Sequence, residues 1–350
     1  MKNAKKIFGL LVMTAIAFSS CSDDNNGDNS GDKSVTDLLD EGTMNGKLTE
    51  DYTLDGSSYR LTGSFIVEAG ATLTIPAGTQ IVANAGGTDV YIAVMMGAKI
   101  NIKGTEENPV VMASTSATPG DWGGLTICGK ATTTNGENAE AEVGGFIYGG
   151  TDDADNSGDI QYLIIKGTGA AINPESEYNG ISFYAVGSAT TINNIAVFNG
   201  SDDGVEFFGG TANASNVYLS NLDDDACDWA EGWNGKITNL YISNTAEGFS
   251  TAFEGDGVNN MPAFENVTCV ATVDGTCFQF KKESGAAIKN LYLDGYTNQL
   301  DFVNDGATTN VTLDGAAIDV TNTSSTYYSF NSGLATTPTV DAASFDWATK

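Results

Sequence analysis

The chain contains no histidine, and Arg60 is its only arginine. Without imidazole there is no Ser-His-Asp triad, no histidine-ligated zinc and no side chain that ordinarily titrates near neutral pH. A single guanidinium also excludes a multi-arginine clamp on phosphate or uronate groups. Any chemistry falls to carboxylates, lysines, tyrosines, amides or a bound metal. Positive charge is scarce overall: 15 lysines and arginines stand against 45 acids, a net charge of -30. Such a field repels nucleic acid and anionic membrane surfaces, and it attracts cations and basic partners. No apolar run is long enough to cross a bilayer as a helix. What the chain does have is core material: 41% of its 350 residues are hydrophobic, enough for one large domain or two small ones.

The first residues read "MKNAKKIFGLLVMTAIAFSSCSDDNNGDNSGDK". Three early lysines, a short apolar run from Ile7 to Phe18 and small residues before Cys21 make an export signal. With "FSSC" at its end, the segment resembles a bacterial lipoprotein signal, which implies cleavage before Cys21 and a lipid on that cysteine. The acids that follow resemble the surface-export tag of certain outer-membrane lipoproteins, which implies the outer face of the outer membrane. The expected organisation is a signal over 1–20, a flexible acidic tether over 21–44, and one domain over 45–350.

Six segments share the pattern Asn, apolar, any, apolar: "NIAV" from Asn194, "NVYL" from Asn216, "NLYI" from Asn239, "NVTC" from Asn266, "NLYL" from Asn290 and "NVTL" from Asn310. The intervals are 22, 23, 27, 24 and 20 residues. Alternation within each segment has the period of a strand with one buried face. A second short strand follows each of the first five: "GVEFF", "ACDWA", "GFSTAF", "TCFQF" and "QLDFV". Two or more strands per repeat, with no helical period and no leucine framework, describe the coil of a β-solenoid. Parallel crossovers are nearly always right-handed, so the expected fold is a right-handed parallel β-helix. Stacked coils put the six asparagines in one column, an amide ladder that satisfies the turns. The final stretch, from "TNTSSTYY" onward, shows no repeat and reads as a cap on the last coil.

The stretches "GDWGGLTICGKA", "YGGTDDADNSGDIQYLIIKG" and "GSDDGVEFFGGTANASNVYLSNLDDDACDWAEGW" resemble a family of exported or lipid-anchored bacterial β-helix proteins. The likeness covers about residues 45 to 260 and implies this fold and an anchored location, with no particular activity.

Candidate sites follow from the repeat. Asp203 and Asp225 each lie 9 residues after a ladder asparagine, and Glu247 and Asp274 each lie 8 after one. This spacing stacks acids on one turn in four coils. Glu206 with Asp228, and Asp202 with Asp224, form two shorter columns. Like charges at coil spacing repel unless water, a proton or a cation intervenes. Three readings stay open: solvated turn caps, calcium ligands, or a catalytic carboxylate pair. "SDDG" resembles the Asp-Asp motif of β-helix pectin hydrolases, but their histidine-bearing and arginine-bearing motifs are missing. A separate calcium candidate is "DDADNSGDI", with Asp153, Asp155, Ser157 and Asp159 at alternating positions; Ile164 stands at the twelfth, so an EF-hand is excluded. Trp229 and Trp233, with Tyr218, Tyr241 and Tyr292 two residues after ladder asparagines, are candidate sugar-stacking faces. Cys128, Cys227, Cys269 and Cys277 fall among apolar positions and read as buried free thiols.

The function these features favour is a non-enzymatic, surface-anchored β-helix that binds an extended glycan or a surface protein, with calcium as an aid and no organic cofactor. The alternatives are a calcium-assisted polysaccharide lyase or glycoside hydrolase using Asp203, Asp225 or Glu247, with a nearby lysine as base, and an architectural envelope component.

Overall fold

The computed structural model describes residues 33–173, 176–258 and 261–349. Cys21 and the expected export signal lie outside the described residues.

The chain winds as a right-handed parallel β-helix with three sheets. Sheet one contains Thr72–Pro76, Lys99–Lys103, the first halves of the long strands from Gly158–Lys166 to Ala286–Asp294, and Val311–Leu313. Sheet two contains Gln80–Ala83, Val110–Ser114 and the second halves of the same long strands. Sheet three stacks Ile92–Val94, Leu125–Cys128, Ile181–Tyr184, Val205–Phe208, Cys227–Ala230, Thr251–Gly255, Thr276–Phe280 and Asn298–Phe302 in parallel register.

The ladder asparagines are the corner between sheets one and two. Asn194, Asn216, Asn239, Asn266 and Asn290 hold φ of 55 to 59°, the left-handed region that asparagine tolerates better than other side-chain-bearing residues. One such residue bends a strand without breaking its ladder. Their amides then bond along the axis: Asn239 Nδ2 donates to Asn216 Oδ1 at 2.8 Å, and Asn266 to Asn239 and Asn290 to Asn266 at 2.9 Å each. At the top of the column Asn216 donates to Asn193 rather than Asn194. Asn310, expected as the sixth member, leaves the column. Its amide caps the Glu283 carbonyl at 3.0 Å, and the Asn290 N–H donates instead to Asp314, whose φ of 51° belongs to the tight turn joining Val311–Leu313 to the antiparallel Ala316–Ala317. Asn239→Ala breaks two ladder bonds and strains the corner, so it is expected to cost about 2 to 4 kcal/mol. Asn239→Gly, which keeps the φ, recovers part of that; equal losses in chemical denaturation refute the corner argument.

Inward side chains make one continuous core. Phe183, Phe207 and Trp233 stack with centroids 4.9 and 4.2 Å apart, and Phe253 stacks on Phe278 at 4.4 Å. All four described cysteines are buried free thiols.

Both ends depart from the expected organisation. The tether does not reach residue 44: Ser34 caps a helix over Val35–Asp40, and Thr43–Leu48 already pairs with Ser58–Val67. The C-terminal stretch does more than cap. Val320–Ser324 and Tyr327–Phe330 form a hairpin antiparallel to Asn298–Phe302, and the chain then turns back along the outside of sheet two. The Ala335 N–H donates to the Leu291 carbonyl, the N–H groups of Thr339 and Val340 donate to the Thr268 hydroxyl, and Phe345 and Trp347 reach Tyr218 and Tyr162.

Candidate functional site

The outer face of sheet three carries a polar column from its second strand, Leu125–Cys128, onward. Strand register places Thr126, Ser182, Glu206, Asp228, Glu254, Gln279 and Asp301 one above another. A second column lies in the turn before each strand. There the Asp225 N–H donates to Asp203 Oδ1 at 2.9 Å, and the Thr251 N–H donates to Asp225 Oδ1 at 2.7 Å.

Acids from neighbouring coils are forced together by this stacking. Among the described residues, three groups have carboxylate oxygens within 4.8 Å of one another: Asp202, Asp203 and Asp224; Asp203, Glu206 and Asp228; and Asp225, Asp228 and Glu254. Burial, and after it the neighbouring carboxylates, holds Asp203, Glu206, Asp225 and Asp228 well above the usual carboxylate range. Asp202 is pushed up to about 8 by burial and then by Glu177 and Asp224. Lys281 pairs with Glu254. Burial pulls the Lys281 ammonium down, but Glu254, Asp225 and Asp228 outweigh it, and the pKa ends above its ordinary value.

The acids are buried because a canopy covers the N-terminal part of the face. Residues 130–157 leave the coil between two strands and form a short hairpin, Ala139–Glu140 with Ile147–Tyr148. Phe146 and Tyr148 of this excursion pack with Cys128, Tyr184 and Phe208. The Glu231 carboxylate latches it, accepting Thr133 Oγ1 at 2.7 Å, Asn135 Nδ2 at 2.6 Å and Tyr148 OH at 2.7 and 2.8 Å. A second hairpin, Ala171–Asn173 with Ser176–Glu177, leads to Tyr178, which stacks on Tyr91 at 5.2 Å. Glu142 of the excursion keeps solvent contact, yet its pKa is raised to about 7 by the protein around its carboxyl and then by Glu231 and Glu177.

The candidates read from sequence fare unequally. Asp203 and Asp225 are buried in the turn column. Glu247 and Asp274 are not in it, because Thr251 and Thr276 are the residues in register. The longer turn in the 27-residue repeat displaces Glu247 to the surface, and Asp274 accepts the Thr297 hydroxyl at 2.8 Å instead. Glu254, absent from the sequence reading, completes the outer column; counting from Phe253, in register with Cys227, finds it.

The loop at 153 disperses its acids: Asp153 accepts the Thr132 N–H and hydroxyl, Asp155 accepts the Ser157 hydroxyl at 2.9 Å, and Asp159 pairs with Lys103. None of the three belongs to a carboxylate group of the kind above. Trp229 and Trp233 are 0% exposed, so neither offers a face to a sugar. Tyr218 and Tyr241 do point outward, but Phe345 covers them at 5.4 and 6.2 Å. Tyr292, two coils beyond Tyr241 in the same column, is half-buried.

A family model, the pectate-lyase-like β-helix domain, matches residues 46–346. The chain belongs to that family. No curated protein matches it. Among solved structures, it is similar to the enzymatically active domain of tailspike protein 2 from bacteriophage CBA120, at 11% identity and a TM-score of 0.33. That alignment covers 80% of this chain and 49% of the tailspike chain, so the protein spans about half the tailspike's length. On this member of the pectate-lyase-like family, the acids cluster where the canopy ends; farther along the outer face of sheet three Gln279 is half-buried and Asp301 is buried.

Proposed function

We propose that this β-helix is a surface-anchored lipoprotein that binds an extended glycan along the outer face of sheet three, without cleaving it, using calcium held among the stacked acids. The observation that carries this reading is the column Glu206, Asp228 and Glu254, three carboxylates on successive coils within an uninterrupted polar row. Clustered carboxylates suit a hard cation with oxygen ligands, and a row of polar side chains repeating at the strand spacing suits a polymer lying along the axis. Cys21 and the polar segment after it supply the anchor and reach. Membership of a pectate-lyase-like family makes a glycan the natural extended partner.

The test is retention of polysaccharides on immobilised protein. Retention is expected with calcium and to fall at least tenfold with chelator or in Asp228→Asn, with no new sugar ends released. Retention indifferent to both changes, or absent across a broad polysaccharide panel, refutes the reading. A second reading, cleavage, draws on Glu142, a solvent-facing carboxyl on the canopy whose pKa is raised to about 7 by the protein around it and then by Glu231 and Glu177. Release of reducing or unsaturated ends that disappears in Glu142→Gln establishes that reading in place of the first.

A further inference from the structure

We infer that Cys269 and Cys277 become joined by a disulfide, across the corner between sheets two and three, when the chain folds in the presence of a disulfide donor. Cys269 lies near the end of Ala263–Ala271 and Cys277 near the start of Thr276–Phe280, so they flank a single turn of one coil. Both are 0% exposed and enter the same core, and the two thiols hydrogen-bond each other. The preceding coil shows what these positions hold elsewhere. Cys269 is in register with Ile242, and Ala252 lies opposite Cys277, between the pairs Thr251 with Thr276 and Phe253 with Phe278. The same two places therefore carry plain apolar side chains in one coil and two touching sulfurs in the next.

The stacking makes the pairing selective. Cys227 is in register with Phe253 and, through it, with Phe278, so it stands two coils from Cys277. Two strand spacings are about 9 to 10 Å, beyond the roughly 7 Å that a disulfide can bridge between backbones. Cys128 sits apart, beneath the canopy with Tyr148, Tyr184 and Phe208.

The step is thiol-disulfide exchange. One of the two cysteines, as its thiolate, attacks a sulfur of the donor, a small-molecule disulfide such as oxidised glutathione, and releases one donor thiol as a mixed disulfide forms. The other cysteine then attacks the protein sulfur of that mixed disulfide, which closes the Cys269–Cys277 bond and releases the second donor thiol. Two protein thiols are oxidised, one donor disulfide is reduced, and the two protons end on the donor thiols. Burial holds the Cys277 thiol well above its usual range and keeps both sulfurs from solvent, so the exchange belongs to the folding chain, before this coil closes.

The experiment is refolding of the whole reduced protein from denaturant in a glutathione redox buffer, then alkylation in denaturant and tryptic mapping. No lysine or arginine stands between Lys236 and Lys281, so both cysteines fall on the peptide 237–281 and Cys227 falls on another. The expected product is that peptide lighter by two hydrogens and unalkylated, with Cys128 and Cys227 alkylated. Cys227→Ser is expected to keep the bond, and Cys277→Ser to leave Cys269 alkylated. Protein expressed into an oxidising compartment and alkylated at lysis gives a second map that does not depend on refolding, and the bond in either preparation bears the inference out. Alkylation of both Cys269 and Cys277 in both preparations, or a bond from either one to Cys128 or Cys227, overturns it. Glycan retention plays no part in this readout, so either conclusion survives failure of the other.

Discussion

In the presence of chelator the protein loses stability as the pH is raised from about 5 to about 8, and calcium restores it. The cause is the stacked acids. Asp202 titrates near 8 and Glu142 near 7, and Asp203, Glu206, Asp225 and Asp228 are also held above their ordinary range by burial and by one another. In the unfolded chain these groups release their protons at about pH 4. The folded state therefore binds more protons than the unfolded state at intermediate pH. Stability from these groups is complete below about pH 4 and is lost as the pH rises through about 7 to 8. A divalent ion replaces the missing protons and binds only the folded arrangement, so it adds stability by mass action. Thermal unfolding at several pH values, with calcium or with chelator, is the measurement. A drop of several degrees at the upper pH with chelator, and little calcium effect at the lower pH, is expected. A melting temperature independent of both pH and calcium means that the acids are fully solvated and the metal reading fails.

The second large effect belongs to the C-terminal strap. Phe345 is 2% exposed and Trp347 is 3% exposed, although both lie on the outside of the β-helix, because they pack on outward residues of sheet two. Phe345 touches Tyr218 and Tyr241, and Trp347 meets Tyr162 edge-on at 5.3 Å, over Ile164 and Ala196. Truncating a buried aromatic side chain costs about 3 to 5 kcal/mol. Phe345→Ala is expected to fall in that range in denaturant unfolding. Deletion of residues 335–350 exposes the row Ile164, Ala196, Tyr218 and Tyr241 as an apolar patch and promotes aggregation. A loss below about 1 kcal/mol for Phe345→Ala shows that the strap only rests on the sheet. The same contact explains why outward tyrosines are poor evidence for a sugar platform: they are the floor under the strap.

The repeated asparagines made the coil legible. The first five stand at the corner between sheets one and two, where their left-handed φ restricts the choice of residue, and the alternation after them defines sheet two's inner face. That local logic stops at the next turn. The connection into sheet three varies in length, so counting from the asparagine misplaced Glu247 and Asp274, while the true register is set by stacked side chains such as Phe207, Trp229 and Phe253. Alternation counted from Cys227 puts Asp228 outside and Trp229 inside, and burial follows it; reading the tryptophans as sugar faces set that pattern aside.

The sequence alone determined the β-helix, its corners and the stacking of Asp203 over Asp225 and Glu206 over Asp228, because each rests on spacing within or between adjacent repeats. Only the tertiary structure decided which outward faces meet water. The canopy comes from residues 130–157 and the strap from residues 335–349, far along the chain from much of what they cover, and no repeat period records such a contact. Their cover turned a row of ordinary turn acids into a proton-holding, cation-ready cluster and left Tyr218 and Tyr241 half-buried beneath the strap.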